Sequence, residues 1–258
     1  VDRMPEAQKS IFYLTGESVE KIQQSPVLED AVSRDVEVIY MIDAIDEYVV
    51  GHVTDFSGKK LVNLAKEGVK YEDQSKRDKA IENKRKEKYE PLLKYMKDLL
   101  GELVTKVIIT KRKTSEPVIL SSPQHGVTAN MARIIKGQTL GDKMQDGQES
   151  KRVMEINHLH PIVDEVYKLI KVDDKDKIAE DTTLVLFDTA NLQNGFEVAD
   201  TLSFSRRIGR MLRQGLMIAA DAPLIEEDLN QYDIEEEMEE EAADEEKKED
   251  GEGEKEEL

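Results

Sequence analysis

The first part of the chain alternates short apolar runs with helix-like patterns. Residues 11–14 and 36–41 are rich in β-branched and aromatic side chains, which is typical of buried strands. Between them, Pro26 stands at the start of a segment whose apolar positions share one helical face. A second helix is predicted over residues 43–53, and a third short strand near Leu61. This order predicts a small α/β unit.

The pattern changes after Gly68. Residues 72–98 contain no glycine and carry apolar side chains at helical spacing, so they predict one long helix leading into a second domain. Gly101 follows as a left-handed C-terminal cap. Two β-branched runs, residues 104–110 and 117–120, flank a polar segment, and we predict that they form a β-hairpin.

The middle of the second domain combines short helices with a loop. Thr128 is placed to cap a helix that carries Met131, Ile134 and Ile135 at helical spacing. Residues 137–150 have little apolar content and predict a loop, and Pro161 opens a further helix to about residue 170. The fold class is therefore α+β: a small α/β/α subdomain joined by a long helix to a mixed α/β domain that ends in a helical bundle.

The last two patterned segments predict helices with wide apolar stripes. The first stops at Asn194-Gly195 and the second begins near Thr201. Each large side chain left in water costs about 1.5–3 kcal/mol of burial energy, so we expect self-association through these helices. The alternative, that both are intramolecular core helices, stays open because periodicity does not identify the opposing surface. The positions concerned are Val185, Leu186, Thr189, Leu192, Phe204, Ile208, Met211, Leu212, Gly215 and Leu216.

Charge is distributed unevenly along the chain. Of the net charge of −19, residues 226–258 contribute −16, with 19 acidic and 3 basic residues. Such a block of like charge does not bury enough apolar surface to fold, so we expect a disordered acidic tail after domains at residues 1–72 and 73–225. The acidity argues against nucleic acid as a partner.

The sequence contains few candidates for catalysis or metal binding. It has no cysteine, no phosphate loop, no dinucleotide turn and no nucleophile elbow. His158 and His160 lack a nearby third ligand and are more typical of surface or capping residues, and residues 173–177 lack the glycine of a calcium loop. The apolar run 216–220 is far shorter than the about 20 residues that cross a bilayer. We predict no catalytic residue, no metal, no cofactor and no membrane insertion.

Several sequence stretches are shared with one family. Among them are Ile45-Asp46-Glu47-Tyr48, Ala129-Asn130-Met131-Ala132-Arg133-Ile134 and Arg207-Ile208-Gly209-Arg210-Met211-Leu212. Together with further stretches at residues 2–6, 8–18, 66–69, 89–92 and 186–190, they resemble the heat-shock protein 90 chaperones, in that family's order, over about residues 1–220.

This resemblance implies a piece of a longer protein, made of the end of the middle domain and the whole C-terminal dimerisation domain. In the family, the last two helices of each protomer form a four-helix bundle. The ATP site and the catalytic arginine of the family lie upstream of this sequence, so ATP and Mg²⁺ are expected only for a full-length ATPase. The start Val1-Asp2-Arg3-Met4 reads as a cut inside a longer chain.

The resemblance also implies a client-binding element, which in the family begins at a tryptophan. Val127 stands at that position here, followed by Met131, Ile134 and Ile135. Loss of the indole removes a large contact area, while the remaining side chains keep an adaptable apolar face. The alternative, that they simply pack on their own domain, stays open.

The end of the chain bears on compartment. Lys255-Glu256-Glu257-Leu258 resembles a retrieval signal of the endoplasmic reticulum, whereas the Met-Glu-Glu-Val-Asp end that tetratricopeptide co-chaperones bind in cytosolic members is absent. The resemblance is therefore to the endoplasmic-reticulum branch, with the lumen as the expected location. The cytoplasm is the alternative, because Arg3-Met4-Pro5-Glu6 is closer to cytosolic members.

The function predicted from the sequence is that of a molecular chaperone module. It homodimerises and offers an apolar surface to client proteins within an ATP-driven clamp. The alternative is a dimerising scaffold whose acidic tail binds cations weakly.

Overall fold

The computed structural model describes residues 1–2, 4, 8–71, 76–138 and 151–228 of the 258-residue chain. They form an α+β fold with small mixed sheets. The helices are α1 (Val19–Gln23), α2 (Pro26–Ser33), α3 (Ala44–His52), α4 (Lys76–Leu100), α5 (Ala129–Gln138), α6 (Pro161–Val172), α7 (Lys177–Gln193) and α8 (Thr201–Gly215), with a 3₁₀ helix at Gly101–Leu103. The strands are β1 (Ser10–Thr15), β2 (Val38–Met41), β3 (Asp55–Phe56), β4 (Lys59–Asn63), β5 (Val104–Ile109), β6 (Val118–Ser121) and β7 (Arg152–Ile156).

The first sheet has the strand order β2-β1-β4-β3. β1 runs parallel to β2 and β4, while β3 pairs antiparallel with β4. Pro26 opens α2 as predicted, because its missing N–H and fixed φ suit the first helical position. α2 contributes Val27 and Leu28 to a buried cluster with Phe12 and Leu14 of β1. The predicted strand, helix, strand order is confirmed.

The second sheet has the order β5-β7-β6, so the predicted hairpin is wrong. β7 lies between the two runs, parallel to β5 and antiparallel to β6. The sequence pattern did not identify β7, which supplies hydrogen-bond partners to both runs. As the central strand it is deeply buried, with Val153, Met154 and Ile156 fully inaccessible to solvent.

Strand β6 belongs to two hydrophobic clusters because side chains alternate between the faces of a strand. Val118 and Leu120 lie in the larger cluster, which also holds residues of α4, α6 and α7. Ile119, between them, lies in the smaller cluster with Phe12 of β1 and with Leu64, which directly follows β4. The two clusters are therefore joined through one strand.

Helix α4 begins at Lys76 and spans about 38 Å at the usual rise per residue. Its second half buries Leu92, Met96 and Leu100 in the larger cluster. Gly101 follows with a φ of +53°, in agreement with the predicted left-handed cap.

A buried carboxylate lies at the centre of the second sheet. Glu155 is 4% exposed and accepts hydrogen bonds from Thr110 Oγ1 at 3.0 Å and Ser121 Oγ at 2.7 Å. Arg112 Nε is 3.4 Å from the same carboxylate, and Arg112 Nη2 donates to the carbonyl of Lys66 at 2.8 Å. The charge is compensated by a cation and two hydroxyls, and the arginine links the second sheet to the turn after β4.

The chain divides into two compact units, Val1–Met211 and Leu212–Leu258. All elements above, apart from the last turn of α8, lie in the first unit. In the described part of the second unit, Leu216 N–H donates to the Leu212 carbonyl at 2.9 Å, and Arg213 Nη1 donates to the Ala220 carbonyl at 2.9 Å. Met217 adopts a φ of +56° just after the helix.

Candidate functional site

Helix α8 presents an apolar face that the described residues do not bury. Asp200 begins the helix, since its Oδ1 accepts the N–H of Ser203 at 2.9 Å. Phe204, Ile208 and Met211 recur at helical spacing, and all three are only half-buried. No residue of α8 reaches full burial.

Two arginine–aspartate pairs attach α8 to α7. Arg207 Nη2 donates to Asp188 Oδ2 at 2.7 Å, and Arg210 forms a two-pronged contact with Asp181, with both bonds at 2.7 Å. The residue numbers rise along α8 as they fall along α7, so the helices run antiparallel. At about 100° per residue, Arg207 and Arg210 lie about 100° and 160° around α8 from Ile208, although Arg207 is only about 40° from Met211. The ion pairs therefore hold one flank of the helix, while Phe204, Ile208 and Met211 each keep part of their surface accessible.

The two aspartates differ in their electrostatics. Hydrogen bonds from Arg210 lower the pKa of Asp181. Burial raises the pKa of Asp188, and this desolvation outweighs the attraction of Arg207. At neutral pH the ionised Asp181 favours the folded helix pair, whereas ionisation of Asp188 is opposed by its surroundings.

The residues predicted for self-association have different environments. Val185 and Leu186 are 8% and 7% exposed, and Leu186 belongs to the larger cluster, so both contribute to interior packing rather than to an accessible face. Thr189 is half-buried, and its hydroxyl donates to the Val185 carbonyl at 2.8 Å. Leu192 is 55% exposed. In the second unit, Leu212, Gly215 and Leu216 are exposed.

A second apolar face lies on α5. Thr128 Oγ1 accepts the N–H of Met131 at 3.1 Å, which confirms the predicted cap. Val127 is 36% exposed, and Met131 and Ile135 are half-buried. Ile134 is only 8% exposed, because it points into the protein, and it does not contribute to an accessible face.

Sequence reasoning did not identify the ion pairs. Asp181 and Asp188 are seven residues apart on α7, and Arg207 and Arg210 are three residues apart on α8, so each set lies on one helical side. This spacing indicates that each helix carries like charges on one side, but it does not identify which arginine pairs with which aspartate.

The candidate metal ligands have structural roles. His160 Nδ1 accepts the N–H of Ile162 at 3.2 Å and caps α6. His158 lies edge-on to Tyr89 with ring centroids 5.5 Å apart, and burial lowers the pKa of its imidazole. Asp176 caps α7 by accepting the Ala179 N–H at 2.8 Å. Within the described ranges, no three metal-ligating side chains come together.

Some sequence predictions fall on other parts of the chain. The retrieval-like residues Lys255, Glu256, Glu257 and Leu258, the acidic residues beyond 228 and most of the predicted loop at 137–150 lie outside the described residues. Among the helices that are described, none combines the length and hydropathy needed to span a bilayer.

Comparison with known proteins identifies the family. The family model described as Hsp90 protein matches residues 1–251. The chain belongs to the Hsp90 family. The resemblance in residues such as Ile45-Asp46-Glu47-Tyr48 is thereby confirmed.

Two Hsp90 relatives are endoplasmin homologs, one from Leishmania donovani and one from Leishmania infantum. Each is 49% identical over 235 residues, which are 91% of this chain but 30% of the relative. Heat shock protein 83 of Leishmania donovani is 39% identical over 232 residues, or 88% of this chain and 51% of that protein. The chain thus spans between about a third and a half of the length of these Hsp90 proteins.

Proposed function

We propose that this Hsp90-family chain is a chaperone module that homodimerises through α8 and offers the face of α5 to client proteins. Residues 1–72 would be the end of a middle domain, residues 73–225 a dimerisation domain and residues 226–258 an acidic tail. The observation that carries the proposal is a helix fixed by two ion pairs and yet without one fully buried residue.

Burial of apolar area supplies the driving force for dimerisation. Phe204, Ile208 and Met211 are partly exposed in the isolated chain, and full burial contributes about 1.5–3 kcal/mol per large side chain. A two-fold interface presents each of them twice, so the gain is doubled. Pairing α8 with its copy, alongside α7, forms the four-helix bundle implied by the family.

The α5 face suits contact with varied apolar segments. Val127, which precedes α5, and Met131 and Ile135, which lie four residues apart on it, each keep accessible surface. The flexible thioether of methionine adapts to irregular surfaces, which favours binding of unfolded chains. Valine offers less contact area than an aromatic residue, so we expect weak, reversible client binding.

The proposal extends to the full-length protein. We expect it to bind ATP and Mg²⁺ in a domain upstream and to use nucleotide hydrolysis to close a clamp around the client. The present chain, which holds none of the nucleotide-binding motifs described above, is expected to be inactive as an ATPase.

The endoplasmic reticulum lumen is the proposed compartment. The identity to two endoplasmin homologs exceeds that to heat shock protein 83, and the retrieval-like end points the same way. Behind a secretory signal, the intact chain should stay inside cells, and a variant without residues 255–258 should appear in the medium. Equal secretion of both would favour the cytoplasm.

Sedimentation velocity tests dimerisation. At micromolar concentration the chain should sediment as a dimer, whereas Met211→Asp should be monomeric because it places a charge in the apolar face. Arg206→Asp is the matched control, since it adds the same side chain about 140° around α8 from Met211, and it should remain dimeric. A monomeric wild type, or a dimeric Met211→Asp, contradicts the proposal.

Aggregation assays separate the chaperone from the scaffold alternative. The double change Met131→Ala and Ile135→Ala should weaken the suppression of aggregation of heat-denatured citrate synthase. Ile162→Ala, which removes a 44% exposed side chain from α6, is the control and should have no effect. Unchanged suppression in the double variant would favour a dimerising scaffold with a cation-binding acidic tail.

A further inference from the structure

Glu47, in the first turn of α3, accepts three hydrogen bonds on one carboxylate oxygen. Thr15 Oγ1 lies at 2.6 Å, Thr128 Oγ1 at 2.9 Å and Asn130 Nδ2 at 3.0 Å from Glu47 Oε1. Thr15 ends β1, whereas the other two residues lie at the start of α5. The carboxylate therefore joins the first sheet to the N-terminus of α5.

Thr128 transmits this contact to the helix. Its hydroxyl donates to Glu47 and at the same time accepts the N–H of Met131 at 3.1 Å. The Thr128 carbonyl accepts the N–H of Ala132 at 2.9 Å. Because one hydroxyl serves both contacts, Glu47 fixes the orientation of the residue that caps α5.

Burial and charge both favour the arrangement. Thr15 and Thr128 are 8% and 4% exposed, so their hydroxyls need partners inside the protein. A carboxylate beside a helix N-terminus is also stabilised by the partial positive charge of the free N–H groups there. Helix α3 buries none of its residues, so polar contacts rather than core packing connect Glu47 to α5.

The rest of the α5 region has different attachments. Lys66 Nζ donates to the carbonyl of Gly126 in the preceding loop. Towards the other end, Lys136 pairs with Glu197 at 2.6 Å, but the side chains are 61% and 80% exposed and such pairs contribute little. Glu47 is therefore the residue that attaches the first turn of α5, which carries Met131, to the rest of the protein through Thr128 and Asn130.

We infer that Glu47 is a positioning residue for client binding. By holding Thr128 and Asn130, it keeps the first turn of α5 folded and Met131 presented beside Val127. The inference rests on the proposed client-binding function of α5. It assigns to helix α3, which Glu47 also joins to Thr15 of β1, a direct role in shaping that surface.

Amide hydrogen exchange in the full chain tests the inference. Glu47→Ala should raise exchange at Met131 and Ala132 about tenfold or more and leave Tyr13 and Leu14 of β1 unchanged. It should also weaken suppression of citrate synthase aggregation severalfold. Dimerisation, measured by sedimentation, should not change.

Three further variants separate a specific contact from general damage. Thr128→Val removes the hydroxyl at constant shape and should behave like Glu47→Ala, whereas Thr128→Ser keeps the hydroxyl and should behave like the wild type. Glu17→Ala removes an exposed carboxylate next to β1 and should have no effect. If Glu47→Ala also raises amide exchange in β1, the Asn130→Ala variant is used instead to test the inference. This variant removes the hydrogen bond between Asn130 and Glu47 and leaves the contact of Glu47 with Thr15 in place.

The outcomes are distinct. Unchanged exchange at Met131 in Glu47→Ala, or in Asn130→Ala where that variant decides, overturns the inference. Faster exchange with full suppression of aggregation also overturns it, because anchoring would then not matter to clients. In that case the Met131→Ala and Ile135→Ala double variant tests the proposed function separately. If the double variant suppresses aggregation less than the wild type, client binding by the α5 face is supported. If it suppresses aggregation as well as the wild type, the proposed client-binding function is refuted.

Discussion

Helices α7 and α8 follow one another with similar apolar periodicity but have opposite environments. α7 buries ten of its residues, whereas α8 buries none. α7 packs against α6 and strand β6, while α8 contacts α7 through Arg207 and Arg210 on one side. Periodicity locates an apolar face, and tertiary structure decides whether the same chain covers it. The comparison assigns α7 to the stability of one protomer and α8 to association.

The largest expected effect lies in α7. Phe187 is 3% exposed, and Phe187→Ala should lower the free energy of unfolding by about 3–5 kcal/mol because it leaves a cavity in the larger cluster. Urea denaturation in the monomeric Met211→Asp background measures this without a contribution from dimerisation. Leu202→Ala, at a 59% exposed position of α8, is the control and should change the free energy by about 0.5 kcal/mol or less. A small effect of Phe187→Ala would break the comparison.

A smaller effect is expected in α8, and in a different measurement. Ile208→Ala should remove about 1.5–3 kcal/mol of apolar burial per protomer at the interface, which raises the dimer dissociation constant tenfold or more. In the monomeric background, the same change should lower the free energy of unfolding by no more than about 1 kcal/mol. Sedimentation equilibrium and urea denaturation give the two quantities. Comparable losses in both would place Ile208 in the core of one protomer.

The smallest effect concerns the ion pairs and depends on pH. Asp181→Asn should lower the free energy of unfolding at neutral pH by at most about 1 kcal/mol, because Arg210 is half-exposed. The lowered pKa of Asp181 means that this contribution is fully present above its usual value of 3.8. The contribution of Asp181 to stability is lost as the pH falls through the lowered pKa that this side chain has in the folded protein.

Asp188 provides a second test of the ion pairs, because its pKa is shifted in the opposite direction from that of Asp181. Its pKa is raised, so ionisation begins to oppose folding as the pH rises above 3.8, and the cost is complete above the folded-state value. Asp188→Asn should therefore lower the free energy of unfolding less than Asp181→Asn at neutral pH. Urea denaturation from neutral to acidic buffers measures both, and a larger loss for Asp188→Asn would contradict the assigned directions.

Local signals predicted much of the secondary structure. Pro26, Thr128, Gly101 and Gly195 each mark a helix end, and the structure places a helix end at all four. These signals depend on backbone chemistry within a few residues, so they can be read without the fold.

Strand pairing was not predictable in the same way. Glu155 interrupts the apolar run of β7 and resembles a surface position, yet Thr110, Arg112 and Ser121 bury it from other segments of the chain. Only the three-dimensional arrangement supplies these partners. Without β7, the two neighbouring runs looked like each other's partners.

The candidate site was predicted to a similar extent. Periodicity alone identifies Phe204, Ile208 and Met211 as one apolar stripe, whereas their partial exposure depends on the tertiary structure. The inward direction of Ile134 did not follow, because Ile134 lies only about 60° around the helix from Met131 and belongs to the same apolar stripe. The role of Glu47 requires a contact 81 residues along the chain, which no local pattern records.

Because strand β6 contributes side chains to both hydrophobic clusters, we expect the two clusters to unfold cooperatively. Unfolding of the second sheet would remove Ile119 from the cluster around Phe12. Unfolding of the first sheet would expose the face of β6 that carries Ile119. Heating should therefore give a single calorimetric transition for both, and proteolysis between residues 71 and 76 should release no independently stable half.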